Sequence, residues 1–272
     1  VDVGDIEITA VHDGRFNVPA TAFFPSTSDV DWAPHKAFLN DDGTLPLELG
    51  GFLVRSHDRV LLVDAGVGPR QEPGFGRLLA SLAELGVAPD DVTDVVFTHL
   101  HFDHVGWASA EGTAVFSRAT YRCDARDWDF FSGPDAAEHE RTAQTYFGAI
   151  TAREKLAPVL DRIETWRGDT VLAPGVEVRS APGHTPGSAV VVLSSGTERA
   201  LLLGDVVHCP VELLEDEWAA LGDVDPKVAA RTRATWVAEL EGSGVAAAAA
   251  HFPGMRFGRL LPASGRRQWV FS

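Results

Sequence analysis

The sequence predicts a layered α/β protein, and three observations carry that prediction: a β-rich first third, a helical and aromatic middle, and a second run of strands closed by a helix. Residues 51–55 and 59–64 are apolar runs on either side of the polar Ser56-His57-Asp58, which reads as a hairpin. Residues 75–85 set Leu78, Leu79, Leu82 and Leu85 at helical spacing, with Gly86 as the stop. Residues 95–98 form a short buried strand that runs straight into His99. The middle, 124–165, is helical in flavour and carries Trp128, Phe130, Phe131, Tyr146 and Phe147. Strands follow at 176–180, 189–193 and 199–203. Asp225-Pro226 opens a helix, because a proline in the first turn lacks an N–H that has no helical partner anyway. Its expected buried face is Val228, Thr232, Trp236 and Leu240, and Gly242-Ser243-Gly244 ends it. Alanine favours helix, yet the glycines before residues 246–250 and Phe252-Pro253-Gly254 after them make that run a short buried strand. No linker rich in Pro, Gly or Ser and no fixed repeat divides the chain, so residues 1–272 read as one domain.

Composition narrows the function. The chain is long enough to bury a full core, and its hydrophobic and charged fractions, 45% and 23%, are ordinary for a globular protein. No apolar run approaches the ~20 residues of a membrane helix. The start, Val1-Asp2-Val3-Gly4, shows no signal peptide, although the missing initiator Met leaves a removed leader open. Lys plus Arg number 23 against 39 Asp plus Glu, a formal charge of -16 that opposes a nucleic-acid surface and favours solubility. Cys123 and Cys209 cannot make a disulfide framework, and free thiols suit a reducing compartment, so the cytoplasm is expected. The expected partner is a small-molecule substrate; a homodimer is admitted, a nucleic-acid or membrane partner is not.

The chemistry concentrates in Thr98-His99-Leu100-His101-Phe102-Asp103-His104. Residues two apart in an extended segment point the same way, so His99 and His101 reach one ion together. Asp103 and His104 follow at a turn that redirects them to a second ion. Three more candidates each end an expected strand: His184 in Pro182-Gly183-His184-Thr185-Pro186-Gly187, Asp205 after Gly204, and His251 after the alanine run. Strand ends on one edge of a sheet converge, which is where α/β folds build their sites. Singly, each is more often a loop residue; together with the histidine motif they are not. Imidazole and carboxylate ligands without thiolate suit zinc, or manganese, iron or cobalt. One ion takes His99, His101 and His184; the other takes Asp103, His104 and His251; Asp205 bridges them. Asp103 is thereby both ligand and catalytic candidate. Two such ions would hold a shared hydroxide as nucleophile and polarise a carbonyl or phosphoryl oxygen, so no Ser or Cys nucleophile is needed.

With these motifs, and with Leu61-Leu62-Val63-Asp64-Ala65-Gly66, the chain resembles the metallo-β-lactamase-fold hydrolase superfamily over most of its length. The resemblance implies a four-layer αβ/βα sandwich with the metals at one edge of two sheets, and Asp64 as a residue behind the ligands. The segments Gly204-Asp205-Val206-Val207-His208 and Ala249-Ala250-His251-Phe252-Pro253-Gly254 are similar to the methyl parathion hydrolase and lactonase branch. There are two departures. Small lactonases of this fold usually carry Tyr where His208 stands, and the family often has Gly-Gly where this chain has Gly106-Trp107. The resemblance implies that His208 hydrogen-bonds the substrate or its tetrahedral intermediate rather than binding metal.

Aromatic and apolar residues near the ligands in sequence are pocket candidates: Phe24, Trp32, Trp107, Leu214, Phe252 and Met255, with Phe23, Phe102 and Leu213 beside them. An apolar pocket over a dimetal centre suits a small, partly hydrophobic lactone, ester or phosphotriester. The alternative is an iron-dependent redox member such as a thiol oxygenase; a β-lactamase or nuclease stands further off, and a non-catalytic scaffold would have lost ligands.

Overall fold

The computed structural model describes residues 1–272 except for the side chain of Tyr146, which lies outside the described residues. The first sheet has seven strands in spatial order: β1 (Asp2–Val3), β2 (Ile6–Pro19), β3 (Thr44–Ser56), β4 (Arg59–Val63), β5 (Asp94–Val96), β6 (Thr120–Asp124) and β7 (Ile163–Trp166). Strands β1 to β4 are antiparallel, and β4 to β7 are parallel. The second sheet also has seven: β8 (Thr170–Ala173), β9 (Val176–Ser180), β10 (Ala189–Ser195), β11 (Glu198–Leu202), β12 (Ala246–Ala248), β13 (Gly258–Ala263) and β14 (Arg266–Phe271). Only β11 and β12 pair in parallel there.

Side-chain alternation explains why four layers form. Phe52, Val54, Leu61, Val63 and Val96 of the first sheet meet Val191, Leu193, Leu202, Ala246 and Ala248 of the second in one core. Their neighbours one residue on point the other way. Leu53, Leu62 and Val95 pack outward against Leu78 and Leu82 of the helix Leu78–Glu84 and against Leu156. Val190, Val192, Leu201 and Ala247 pack outward against Trp236, Val237 and Leu240 of the helix Pro226–Leu240. Both sheets are apolar on two faces, so each needs helices outside and the other sheet inside: a four-layer αβ/βα sandwich.

The topology aims the strand ends. Strand β10 is antiparallel to both β9 and β11, and β11 is parallel to β12, so β9, β11 and β12 run the same way. His184 follows β9, Asp205 follows β11 and His251 follows β12, so all three emerge at one edge of the second sheet. Asp64 and His99 emerge likewise from the parallel pair β4 and β5. The sheets are stitched at that edge by Ala189 N–H donating to the Thr98 carbonyl at 2.9 Å.

Some elements differ from the sequence reading. The first long helix starts at Leu78, not Phe75, because the buried Asp13 carboxylate accepts the Leu78 N–H at 2.8 Å while Phe75 turns back onto Phe16, centroids 5.1 Å apart. On Pro226–Leu240 the buried stripe is Ala229, Arg233, Trp236, Val237 and Leu240, so Val228 and Thr232 sit beside it rather than in it. Ala229 is drawn in because Gly183, at φ 136°, lies against it: a Cβ on Gly183 would meet the Ala229 Cα at 2.3 Å. The alanine run forms β12, against its intrinsic helix preference, because small side chains fit between two packed layers. The long β2 and the hairpin β13–β14 were not legible: their outer halves alternate polar and exposed residues at the sheet margins.

Candidate metal centre

The histidine motif works through a change of backbone direction. After β5 the chain bends at Thr98 and His99, is extended at His101, then turns at Phe102–Val105, a single helical turn whose His104 N–H bonds the His101 carbonyl at 3.0 Å. Asp64 anchors the start. It holds the left-handed φ of 62°, which Asp tolerates better than most side chains, and accepts from Thr98 N–H at 2.8 Å and Thr98 Oγ1 at 2.9 Å. Its other contact is His104 Nδ1 at 2.9 Å from Oδ2.

These segments converge on Asp205. Its Oδ2 lies 3.2 Å from His251 Nε2, 3.4 Å from His104 Nε2, 3.5 Å from His184 Nε2, 3.5 Å from His208 Nε2 and 3.7 Å from His99 Nε2. His101 enters through its other nitrogen, with Nδ1 3.0 Å from His99 Nε2 and 2.9 Å from His184 Nε2. His251 Nε2 also stands 3.6 Å from Asp103 Oδ2. The donor atoms form overlapping sets: His99, His101 and His184; His99, His104 and Asp205; Asp103, His104 and His251; His184, Asp205 and His208, each within 4.8 Å. All seven residues expected as ligands from the sequence are therefore brought together. His208, expected to lean over the pair, stands as near Asp205 as His184 does.

The donors fit divalent cations. Ring nitrogens with lone pairs crowded against one another repel unless a proton or a metal lies between them. Among the described residues, buried Asp205 Oδ1 and His104 Nε2 lack a hydrogen-bond partner. Burial first, and then the charge of neighbouring histidines, push His99 and His101 well below the usual imidazole range, which keeps them unprotonated donors. Burial alone would raise the Asp205 carboxyl, but the surrounding imidazoles, His251 and His104 foremost, hold it well below the usual carboxylate range.

A polar layer behind the cluster orients each ring. Asp223 Oδ1 lies 3.1 Å from His184 Nδ1, and His251 Nδ1–H donates to the Glu48 carbonyl at 2.7 Å. The Glu212 carboxylate stands 3.5 Å from His208 Nδ1, accepts the His208 N–H at 2.7 Å, and is held in turn by buried Arg233. Such partners fix the ring and the tautomer, leaving the other nitrogen free for metal or substrate. Burial would lower His208, but Asp205 and then Glu212 raise it to about 9 in this arrangement. Buried Asp127 ties the two sheets' loops together, accepting from Leu100 N–H at 3.1 Å, Thr185 Oγ1 at 2.8 Å and Gly187 N–H at 2.5 Å. Sequence reading missed Asp127, Asp223, Glu212 and Arg233. The four-residue spacing of His208 and Glu212 is the sole trace of them in the sequence.

The expected pocket residues are mostly core. Phe24, Trp32 and Phe252 are buried in the outer core of the second sheet, with Leu214 packed against it, and Met255 is buried between the sheets. Trp107 belongs to the outer core of the first sheet and donates its indole N–H to Asp13 at 2.8 Å. The reason is alternation and volume: large apolar side chains one residue from a site face the other way. The departure from Gly-Gly is explained too. Gly106 must stay glycine, because a Cβ would meet the Val67 carbonyl carbon at 2.0 Å, whereas Trp107 points into the core. The aromatic rings that reach the cluster are Phe23, whose centroid is 5.4 Å from that of His208, and Phe131, 5.5 Å from that of His101.

The sequence model of the family described as the metallo-beta-lactamase superfamily matches residues 51–240. The N-acyl homoserine lactonase AiiA of Bacillus thuringiensis subsp. kurstaki is 28% identical over 153 residues, 56% of this chain and 53% of that protein. The probable metallo-hydrolase Rv2300c of Mycobacterium tuberculosis is 27% identical over 186 residues, 57% of this chain and 56% of that protein. The chain thus spans about half the length of the curated relatives it matches. Among solved structures, AidC, a dizinc quorum-quenching lactonase in complex with a product, superposes with a TM-score of 0.86 at 23% identity, covering 99% of this chain and 95% of that one. The hydrolase AbOPH of the beta lactamase superfamily does so with a TM-score of 0.86 at 28% identity, covering 99% and 95%.

Proposed function

Because the chain belongs to the metallo-beta-lactamase superfamily, we propose that it is a dinuclear metal-dependent hydrolase of a small, partly hydrophobic lactone or ester. The observation that carries this reading is the convergence of five imidazole nitrogens on one buried carboxylate oxygen, Asp205 Oδ2. The similarity to N-acyl homoserine lactonases and to a dizinc lactonase favours a lactone over the other carbonyl and phosphoryl substrates, and zinc over manganese, iron or cobalt. We read residues 1–272 as one domain of this fold, and the two buried free thiols suit the cytoplasm.

In this reading His99, His101 and His184 would hold one ion and Asp103, His104 and His251 the other, with Asp205 shared between the two sets. Metal held there would supply a water of pKa towards ~7 and a Lewis acid for the substrate oxygen. The chain does the rest. Asp64, Asp223 and the Glu48 carbonyl meet the far ring nitrogens of His104, His184 and His251 and orient those rings, leaving Nε2 towards Asp205. Asp103, on the open side of the cluster, is placed to take up a proton as water attacks. His208, set by Glu212, offers Nε2 to the substrate oxygen or to its tetrahedral intermediate. Phe23 and Phe131 exclude water beside the reacting bond.

The test is a turnover screen of lactones, aryl esters, phosphotriesters and β-lactams on zinc- and manganese-loaded protein, with metal content measured alongside. Lactone or ester turnover that disappears with chelator and returns with metal is expected, at two equivalents of metal per chain. Full activity at one equivalent overturns the dinuclear reading. Thiol oxidation with iron and no hydrolysis replaces the hydrolase.

A further inference from the structure

A cavity of ≈ 270 Å³ is lined in part by Arg70, Glu72, Phe102, Gly148, Ile150 and Lys155. Of these, Phe102 is the sequence neighbour of both His101 and Asp103. Its ring stacks on that of Phe147, centroids 5.5 Å apart and planes at 20°. The Arg70 guanidinium lies 6.0 Å from the Phe102 centroid and donates to the Phe147 carbonyl at 2.7 Å.

Lys155 is 8% exposed. Its Nζ donates to the Ser109 carbonyl at 3.2 Å and has no other hydrogen-bond acceptor among the described residues. Neither Lys155 nor Arg70 forms an ion pair among those residues, although Asp and Glu outnumber Lys and Arg by 39 to 23 in this chain. Elsewhere the buried cations are matched, Arg233 with Glu212, and the carboxylates Asp94 and Asp124 pair with arginines, while buried Asp13, Asp127 and Glu140 are held by hydrogen bonds alone. Here two cations share one cavity wall, and Lys155 is lowered by burial first and by the charge of Arg70 second. A buried, unmatched ammonium is costly unless an anion meets it. Its tether to Ser109 does not require the charge, since Ser109 Oγ already bonds the Lys155 carbonyl at 2.6 Å. Glu72, on the same rim, is exposed and pairs with neither.

We propose that this cavity binds a carboxylate at the far end of the substrate, with Lys155 and Arg70 on the charge and Phe102 and Phe147 along the chain that leads to it. The inference rests on the hydrolase reading and names its substrate class: a lactone or ester whose acyl or alkoxy chain carries an anionic terminus.

Two measurements on zinc-loaded protein test it. The first is calorimetric titration with hexanesulfonate, an anion that coordinates zinc weakly. The second is the ratio of kcat/KM for an ester with a terminal carboxylate to that for its neutral methyl-terminated counterpart. One hexanesulfonate should bind per chain, more weakly as salt rises, and Lys155→Met should weaken it by at least about tenfold with the zinc content kept, as a lost charge-assisted bond would. The kcat/KM ratio should exceed about ten and fall towards one in Lys155→Met. Arg70→Met, a change at a half-buried rim position, should move both readouts the same way and decides the matter if Lys155→Met fails to fold. No hexanesulfonate binding, binding untouched by either substitution, or a wild-type ratio at or below one overturns the proposal. Sulfonate binding that depends on Lys155 or Arg70, with neither ester hydrolysed, keeps the anion site and overturns the hydrolase reading instead.

Discussion

Asp205 is the side chain on which the cluster turns, and its replacement separates a bridging carboxylate from an ordinary ligand. An amide keeps the shape but removes the charge that faces five imidazoles. Asp205→Asn is expected to lose more turnover, and more metal by elemental analysis, than His184→Ala; equal losses, or two metals retained, would argue against a shared ligand. His208 presents a finer question. It is buried, its ring is parallel to that of His251 at 9° with centroids 5.7 Å apart, and Glu212 and Arg233 neutralise each other behind it. With those charges still paired, His208→Ala should keep near two metals, lower the melting temperature by only a few degrees, and cut turnover about tenfold to a hundredfold. His208→Tyr should recover part of that loss on lactones, because it restores a donor. Loss of a metal equivalent in His208→Ala would make His208 a ligand, which its distance to Asp205 allows.

At the level of elements, the site depends on ties between loops from different sheets. Asp127 begins this: it sits in the helix Ala125–Ser132, yet bonds the loop between His99 and His101 and the loop after His184. Gly187 has no Cβ because Asp127 passes too close, its Oδ1 2.8 Å from where a Cβ would stand. The segment from Ala136 to Leu156 has a comparable anchor in Glu140, whose buried carboxylate accepts the Ala152 N–H at 2.7 Å while Oε2 has no partner among the described residues. Burial pushes this carboxyl up from 4.5 to about 7. A raised carboxyl means that the fold favours the neutral form. The stability it withholds at high pH is therefore recovered as pH falls through about 7, and fully so below 4.5. Glu140→Gln, whose carbonyl still accepts from Ala152, should melt higher than wild type at pH 8, with the gap closing towards pH 5. Melting curves across that range check it, and a constant gap would point to a cause other than ionisation.

Across the whole molecule, two sheets meet at an edge crowded with imidazoles and carboxylates, a poor arrangement without counter-charge. Metal bound there and not to the unfolded chain stabilises by mass action, about 4 kcal/mol at a thousandfold excess over Kd. Stripping with chelator should therefore lower the melting temperature by on the order of 10 °C, reversibly on adding zinc; an unchanged transition would mean that the cluster does not hold metal. How much of this was legible depends on what each residue leaves in one dimension. Apolar runs bounded by turns marked β4, β5, β9, β10 and β11, because packing on both faces demands them. The His99 to His104 spacing, His184, Asp205 and His251 were legible for a related reason: a strand end followed by a turn is a local pattern, and their convergence follows from sheet topology. What is not local left no mark. Asp223, Arg233 and Asp127 act across 21 to 60 residues of chain, and nothing in their neighbours distinguishes them from surface charges; Glu212 alone is near its histidine in sequence, four residues after His208. The pocket was misread for the same reason, since Phe23 and Phe24 differ by one position and only the packed layers decide which of them faces His208. The sequence by itself determined which imidazoles and carboxylates converge, and the layered order. The tertiary structure decided which charges back the ligands, which aromatics border them, and where two unmatched cations meet a cavity, because those depend on distances between segments that the chain brings together only when it folds.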